Sequence, residues 1–312
     1  MIRICKNAQA LRQPTKCHAP ATPICNDANP HGSTFNRSPV NSTLRPLILA
    51  GIAAAFVAAF AAPALPRGTQ PNKANAGSST DTPEINSGRD ALRHIVQDQC
   101  LVHWTNKHDP APCERVYISD SQVDNSGYAV LADRKGGAHY LLIPTQTMAG
   151  VESSELLDPD TPNYFAAAWR SRDLIAKFVG HDVPRTAVGL AINTAHSRTQ
   201  DQFHVHIECL RQDVADSLHA AAESVSDVWS PVMVAGSTYQ AQRIVGEGLE
   251  GANPFEMLAN LKPDVRHHMG DYTLVVAGMQ FKSGPGFIVL TGTGPTGELL
   301  LDATCAVAGA GG

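Results

Sequence analysis

The sequence predicts an α+β domain, an antiparallel sheet with helices packed on one face, preceded by one N-terminal transmembrane segment. Three observations lead there. Phe203, Val205, Ile207 and Cys209 alternate with His204, His206 and Glu208, the period-two pattern of a strand with one apolar and one polar face. Around that run the segments read strand, strand, helix, strand, loop, strand, which favours antiparallel pairing over a β-α-β alternation. Residues 47–65 are almost wholly apolar and uncharged, close to the ~20 residues that cross a bilayer core.

Taken along the chain, residues 1–46 are rich in Pro, Asn, Ser and Thr, with scattered basic residues and Asp27 as the one acid. They read as a disordered basic segment. Residues 47–65 read as an uncleaved membrane anchor or, because Ala62-Pro63-Ala64 resembles an A-x-A site, as a cleavable signal. Both imply export, and basic residues ahead of the apolar run place the N-terminus in the cytoplasm. Residues 66–88 form a polar Pro/Asn/Ser/Gly linker. Residues 89–312 are then the folded domain, long enough for one sizeable core.

Within that domain, Leu92, Ile95 and Val96 give helical spacing over 90–99, with Ser87 or Asp90 as caps. Short β-type runs at 128–132 and 140–143 flank Asp133-Arg134-Lys135-Gly136-Gly137, a hairpin signal. Thr161-Pro162-Asn163 opens a helix over 164–179, with proline in its first turn. A strand over 187–192, a polar loop over 193–201 and the histidine strand follow. A helix over 213–226 and strands over 272–279 and 286–291 complete the pattern, with no internal repeat.

Composition narrows the function. The formal charge of −5 over 312 residues and the lack of a Lys/Arg cluster in the folded part argue against a nucleic-acid partner. Neither a G-x-G-x-x-G fingerprint nor a P-loop is expected after any strand, so nucleotide binding by those devices is not indicated. Cys5, Cys17 and Cys25 precede the apolar run, leaving Cys100, Cys113, Cys209 and Cys305. An even number in an exported domain suggests two disulfides, Cys100 to Cys113 across a Pro/Asn loop and Cys209 to Cys305; four buried free thiols are the alternative.

The histidine strand allows two chemistries. His204 and His206 could be a zinc half-site with Glu208 as third ligand. No second half-site such as H-E-x-x-H appears, and the adjacent His267 and His268 would point apart, so neither metal nor cofactor is expected. The other chemistry is a histidine nucleophile. The run from Asn193 through Gln200 to His204-Val205-His206-Ile207 resembles the signature of the histidine-triad (HIT-like) superfamily of nucleotidyl hydrolases and transferases. His139-Tyr140-Leu141-Leu142-Ile143-Pro144 resembles its upstream strand. Glu208 stands where that signature has its third histidine, which puts the role of this position in question.

One branch resembles more of the chain. The apolar N-terminal segment, the Cys100/Cys113 pair, Asp158-Pro159-Asp160-Thr161-Pro162-Asn163-Tyr164 with its Trp169/Arg170/Asp173 helix, the Gln200 to Cys209 strand, Arg266-His267-His268-Met269-Gly270 and Cys305 are together similar to bacterial CDP-diacylglycerol pyrophosphatases. The resemblance implies hydrolysis of CDP-diacylglycerol, a membrane lipid, to CMP and phosphatidate. It implies a single-pass enzyme of the bacterial inner membrane with its catalytic domain in the periplasm. It also implies that His206 attacks the α-phosphorus. His204 would orient the strand and touch the phosphate, while Asn193, Gln200 and His139 would donate to phosphoryl oxygens. Glu208 would fix an imidazole beside the substrate. His268 and the Trp169, Arg170 and Asp173 stripe read as structural. A general nucleotidyl hydrolase acting on soluble substrates, and a catalytically silent nucleotide- or lipid-binding domain, are the alternatives.

Overall fold

Strands β1 (Arg115–Ile118), β2 (Gly127–Ala132), β3 (Tyr140–Pro144), β4 (Val188–Ile192), β5 (Val205–Leu210), β6 (Ser230–Val234), β7 (Ser237–Val245), β8 (Thr273–Phe281), β9 (Gly284–Gly292) and β10 (Leu301–Asp302) form one sheet. Its order is β1-β2-β3-β5-β4-β8-β9-β7-β6, with β10 added on β5. Every pairing is antiparallel. The computed structural model describes residues 88–119, 126–294 and 297–309. The segments expected at 1–46 and 47–65, and nearly all of the linker, lie outside the described residues. Among the described residues no helix is long and apolar enough to cross a membrane.

The helices are α1 (Ala91–His94) and α2 (Leu101–Lys107), joined by a π-helical turn at Ile95–Cys100, then α3 (Tyr164–Arg170), α4 (Asp173–Val179), α5 (Gln212–Ala221), α6 (Pro254–Ala259) and α7 (Ala306–Gly309). They cover both faces of the sheet, which corrects the expectation of one. Tyr140, Leu142, Leu190, Val205 and Ile207 pack against Tyr164, Phe165 and Phe255 from α3 and α6. The alternate residues Ala129, Leu131, Leu141 and Ile143 pack instead against Leu92, Val96 and Cys100. On that same second face, Ala191, Val275, Ile288 and Leu290 meet Val214 and Leu218 of α5. Successive side chains of a strand point to opposite sides, so a fully buried β3, β4 and β5 needs two covers. The sequence concealed the second because β5 puts polar residues there.

The helix expected over 164–179 is broken. Asn163 caps α3, its side chain accepting from Ala166 N–H at 3.0 Å. Ser171 Oγ then donates to the Ala167 carbonyl at 3.1 Å, local competition that ends helices. Trp169 meets Phe287 edge-on at 4.7 Å between centroids. Asp173 pairs with Arg115 and Arg170 with Glu250, so this stripe is structural. The sequence reading missed β1, β6, β7, β10 and α6. Pro231 argues against a central strand, and β6 is an edge strand. Cys100 is bonded to Cys113 and Cys209 to Cys305.

Candidate active site

On the second face a gap separates the cluster under the first helix from the cluster under α5. His206 sits in it. The register puts Leu141 of β3 and Ala191 of β4 on either side of His206, so neighbours from those strands share its face. His139 enters just before β3, Asn193 just after β4, and Glu298 lies on a short 3-10 turn, Gly297–Leu300. That turn can approach because residue 297 is glycine: a Cβ there would fall 2.9 Å from the Ile192 carbonyl oxygen.

The hydrogen bonds fix the state of His206. The Glu298 backbone N–H can only donate, and it meets Asn193 Oδ1 at 3.1 Å. Asn193 Nδ2 must therefore face His206 Nε2, at 3.3 Å, and Glu298 Oε2, at 3.3 Å. An amide nitrogen donates, so His206 Nε2 carries a lone pair and its proton sits on Nδ1. That proton is directed at His139 Nε2, 2.9 Å away. His139 in turn keeps its own proton on Nδ1, facing Asp133 Oδ1 at 3.9 Å. A backbone N–H thus sets, through the Asn193 amide, which nitrogen of His206 keeps its lone pair.

Burial holds all three imidazoles neutral. It pushes His206 well below the ordinary histidine range, with the nearby His204, His139 and Lys135 adding to the effect. Burial likewise lowers His204 and His139. Glu208 is only 3% exposed, and burial, helped by the negative charge of Glu298, raises it to about 8. Its Oε1 lies 3.0 Å from His139 Nε2 but makes no hydrogen bond, because that nitrogen already accepts from His206. A carboxylate there would set a full negative charge against a lone pair; protonation of Glu208 removes that charge.

The remaining expected residues take different positions. Gln200 lines the cavity, but its Oε1 accepts from Leu92 N–H at 3.1 Å and its Nε2 donates to the Gly88 carbonyl at 3.3 Å. It pins the start of the first helix rather than offering its amide to a phosphate. His204 Nδ1 donates to the Gln202 carbonyl at 2.8 Å, so the neutral ring turns an acceptor nitrogen, not a donor, to a ligand. His139 and Glu208 stand behind His206 and do not line the cavity. His268 is exposed.

The cavity has a volume of about 540 Å³. Ala91, Leu92, Ile95, Leu131 and Leu141 form an apolar side, and Asn193, Ser197, Thr199, His206 and Glu298 a polar one, with Arg134 and Lys135 as its cations. Donor atoms of His139, His206, Glu208 and Glu298 all lie within 4.8 Å of one another, so these four could hold a divalent ion. A cation between His139 and His206 would first have to displace the proton they share.

The family model for CDP-diacylglycerol pyrophosphatase matches residues 87–309. The chain belongs to that family. It is therefore an enzyme, a hydrolase, and CDP-diacylglycerol pyrophosphatase activity is what its family membership supports. The matched span runs from the residue before the first described one to the last described residue of α7, so it takes in the entire site of this pyrophosphatase. Two of its site residues, Lys135 and Glu298, escaped the sequence reading. For Glu298 the available signal was the spacing Gly292-x-Gly294-x-x-Gly297 at the end of β9, which corrects the expectation that no such glycine spacing follows a strand. It leads into the 3-10 turn that carries Glu298, not into the long helix of a dinucleotide fold.

Proposed function

We propose that this enzyme cleaves CDP-diacylglycerol to CMP and phosphatidate through a nucleotidyl-histidine on His206 Nε2, as a step of phospholipid metabolism. The observation that carries the reading is that His206 Nε2, and not Nδ1, keeps the lone pair and accepts from the Asn193 amide at the polar side of the cavity, a contact that the substrate phosphorus would replace. His206 attacks the α-phosphorus and phosphatidate leaves; water then releases CMP and restores the imidazole, so one hard displacement becomes two easier ones. Once Nε2 carries the nucleotidyl group the ring is cationic. Its Nδ1 proton is shared with His139, and Glu208 Oε1 lies 3.8 Å from that nitrogen. The glutamate at the third position thus stands beside the ring that becomes cationic. Phosphatidate is a phosphate monoester with a second pKa of about 6, so it departs near neutral pH without a proton donor. The apolar side of the cavity suits the glycerol end of a lipid. We place the enzyme at the bacterial inner membrane, tethered through residues 47–65 with its catalytic domain in the periplasm, a reading that rests on the sequence.

The test is trapping. CDP-diacylglycerol labelled at the α-phosphate, quenched during turnover, should leave label on His206. His206→Ala should lose CMP release by at least ~1000-fold while keeping its thermal stability. Full turnover by that variant would overturn the reading.

A further inference from the structure

We propose that Lys135 is the cation that receives the departing phosphate, and that Glu298 is the positioning residue that aims it; the proposal rests on the nucleotidyl-histidine reading. Lys135 Nζ lies 2.6 Å from Glu298 Oε1. The other oxygen of the same carboxylate is 3.7 Å from His206 Nε2. One side chain thus ties the ammonium to the atom that reacts. An ammonium has three donors, and this contact occupies one, leaving two for phosphoryl oxygens.

The backbone keeps the lysine there. Lys135 N–H donates to Asp133 Oδ1 at 2.7 Å. Gly136 and Gly137 follow with φ of 76° and 81°, which L side chains rarely adopt. A Cβ on Gly137 would fall 2.6 Å from the Ala303 carbonyl oxygen, the acceptor of the Ala138 N–H at 2.7 Å. The hairpin that carries Lys135 is therefore docked on the segment that follows Glu298.

Charge accounts for the role. The imidazoles around the reacting phosphorus are neutral and so is Glu208, while Lys135 is kept charged by Glu298. In the first half-reaction the Nε2 electron pair forms the nitrogen–phosphorus bond. The bond from that phosphorus to the bridging oxygen breaks, its electrons leave on phosphatidate, and no proton moves. The new negative charge develops only in the transition state, so a cation at the leaving oxygen accelerates this step selectively. In the second half-reaction water forms the new oxygen–phosphorus bond, the nitrogen–phosphorus electrons return to Nε2, and a water proton goes to solvent. Phosphatidate has gone by then, and Lys135 has nothing to stabilise.

The two half-reactions can be timed separately with α-phosphate-labelled CDP-diacylglycerol on the full chain. Adduct formation is read by rapid quench, and adduct decay by chasing with unlabelled substrate. Lys135→Ala should slow formation by ~100-fold and leave decay unchanged; Lys135→Arg should restore most of the formation rate. Glu298→Ala should slow formation alone, by less. The Lys135 side chain is 69% exposed, so its replacement spares the core. Unchanged formation in Lys135→Ala, or equal slowing of both steps, would overturn the assignment. A wild-type enzyme that never forms the adduct would sink the nucleotidyl-histidine reading instead.

Discussion

At the scale of single residues, the informative group is Glu208, a buried acid whose neutrality depends on its surroundings. Its folded-state pKa of about 8 stands above the ordinary 4.5, so between those values the folded protein binds a proton that the unfolded chain has released. Stability from this group is complete below the lower value and is lost as pH rises through the upper one. Glu208→Gln removes the titration and should raise the melting temperature relative to wild type at pH 9, with the advantage vanishing towards pH 4. A constant difference across that range would contradict a protonated Glu208. Part of the residue-level geometry was legible beforehand. The alternation through 203–209 put His206 and Glu208 on one face, and Asn193 was singled out by the resemblance to the histidine-triad signature. The roles of His139 and Gln200 were not legible. Each has acceptor and donor capacity that could serve a substrate or the protein, and only tertiary contacts reveal that one backs His206 while the other holds Leu92.

Among the elements, the 297–300 turn matters most to the site. It inserts against the end of β4 because Gly297 has no side chain, and Cys209–Cys305 joins the following segment to β5. Gly297→Ala would press a methyl group onto the Ile192 carbonyl and Val275 Cγ2, 2.9 and 3.1 Å away. The turn should shift and carry Glu298 with it. A displacement near 1 Å costs about 100-fold in rate, so kcat/KM should fall on that order while the melting temperature drops little. Unfolding in step with the rate loss would show a merely structural glycine. Elements with strong local signals, such as β2, β3, β5, β8 and β9, were anticipated with ends displaced by one or two residues, whereas the first helical run, expected over 90–99, continues to Lys107. The turn was not anticipated, since its four residues have no periodicity, and Asn193, the partner of Glu298, lies 105 positions away. The break between α3 and α4 was hidden for a related reason. Apolar spacing continues through Ser171, and the hydroxyl's bond back to Ala167 leaves no trace in a hydrophobic pattern.

For the molecule as a whole, two helical layers around the sheet place the His206 imidazole where the covers of one face part company. The sequence announced the sheet but not the second layer, because the polar residues of β5 looked like a solvent face when they were an interior one. The cavity between the covers joins an apolar flank, from the first helix and strands β2 and β3, to a polar flank. Removing such apolar contacts from a substrate changes discrimination by roughly 10–200-fold per group. CDP-diacylglycerol should therefore exceed a water-soluble CDP-alcohol in kcat/KM by ~10-fold or more, with both labelling His206. Equal rates would mark a general nucleotidyl hydrolase. This two-toned wall has a further result: an amphiphile has only one orientation in which both its ends are satisfied, headgroup against the histidine and tail along Leu92 and Ile95. A cavity lined this way would sort the direction of entry before any bond is made, since a reversed ligand would set grease against an ion pair.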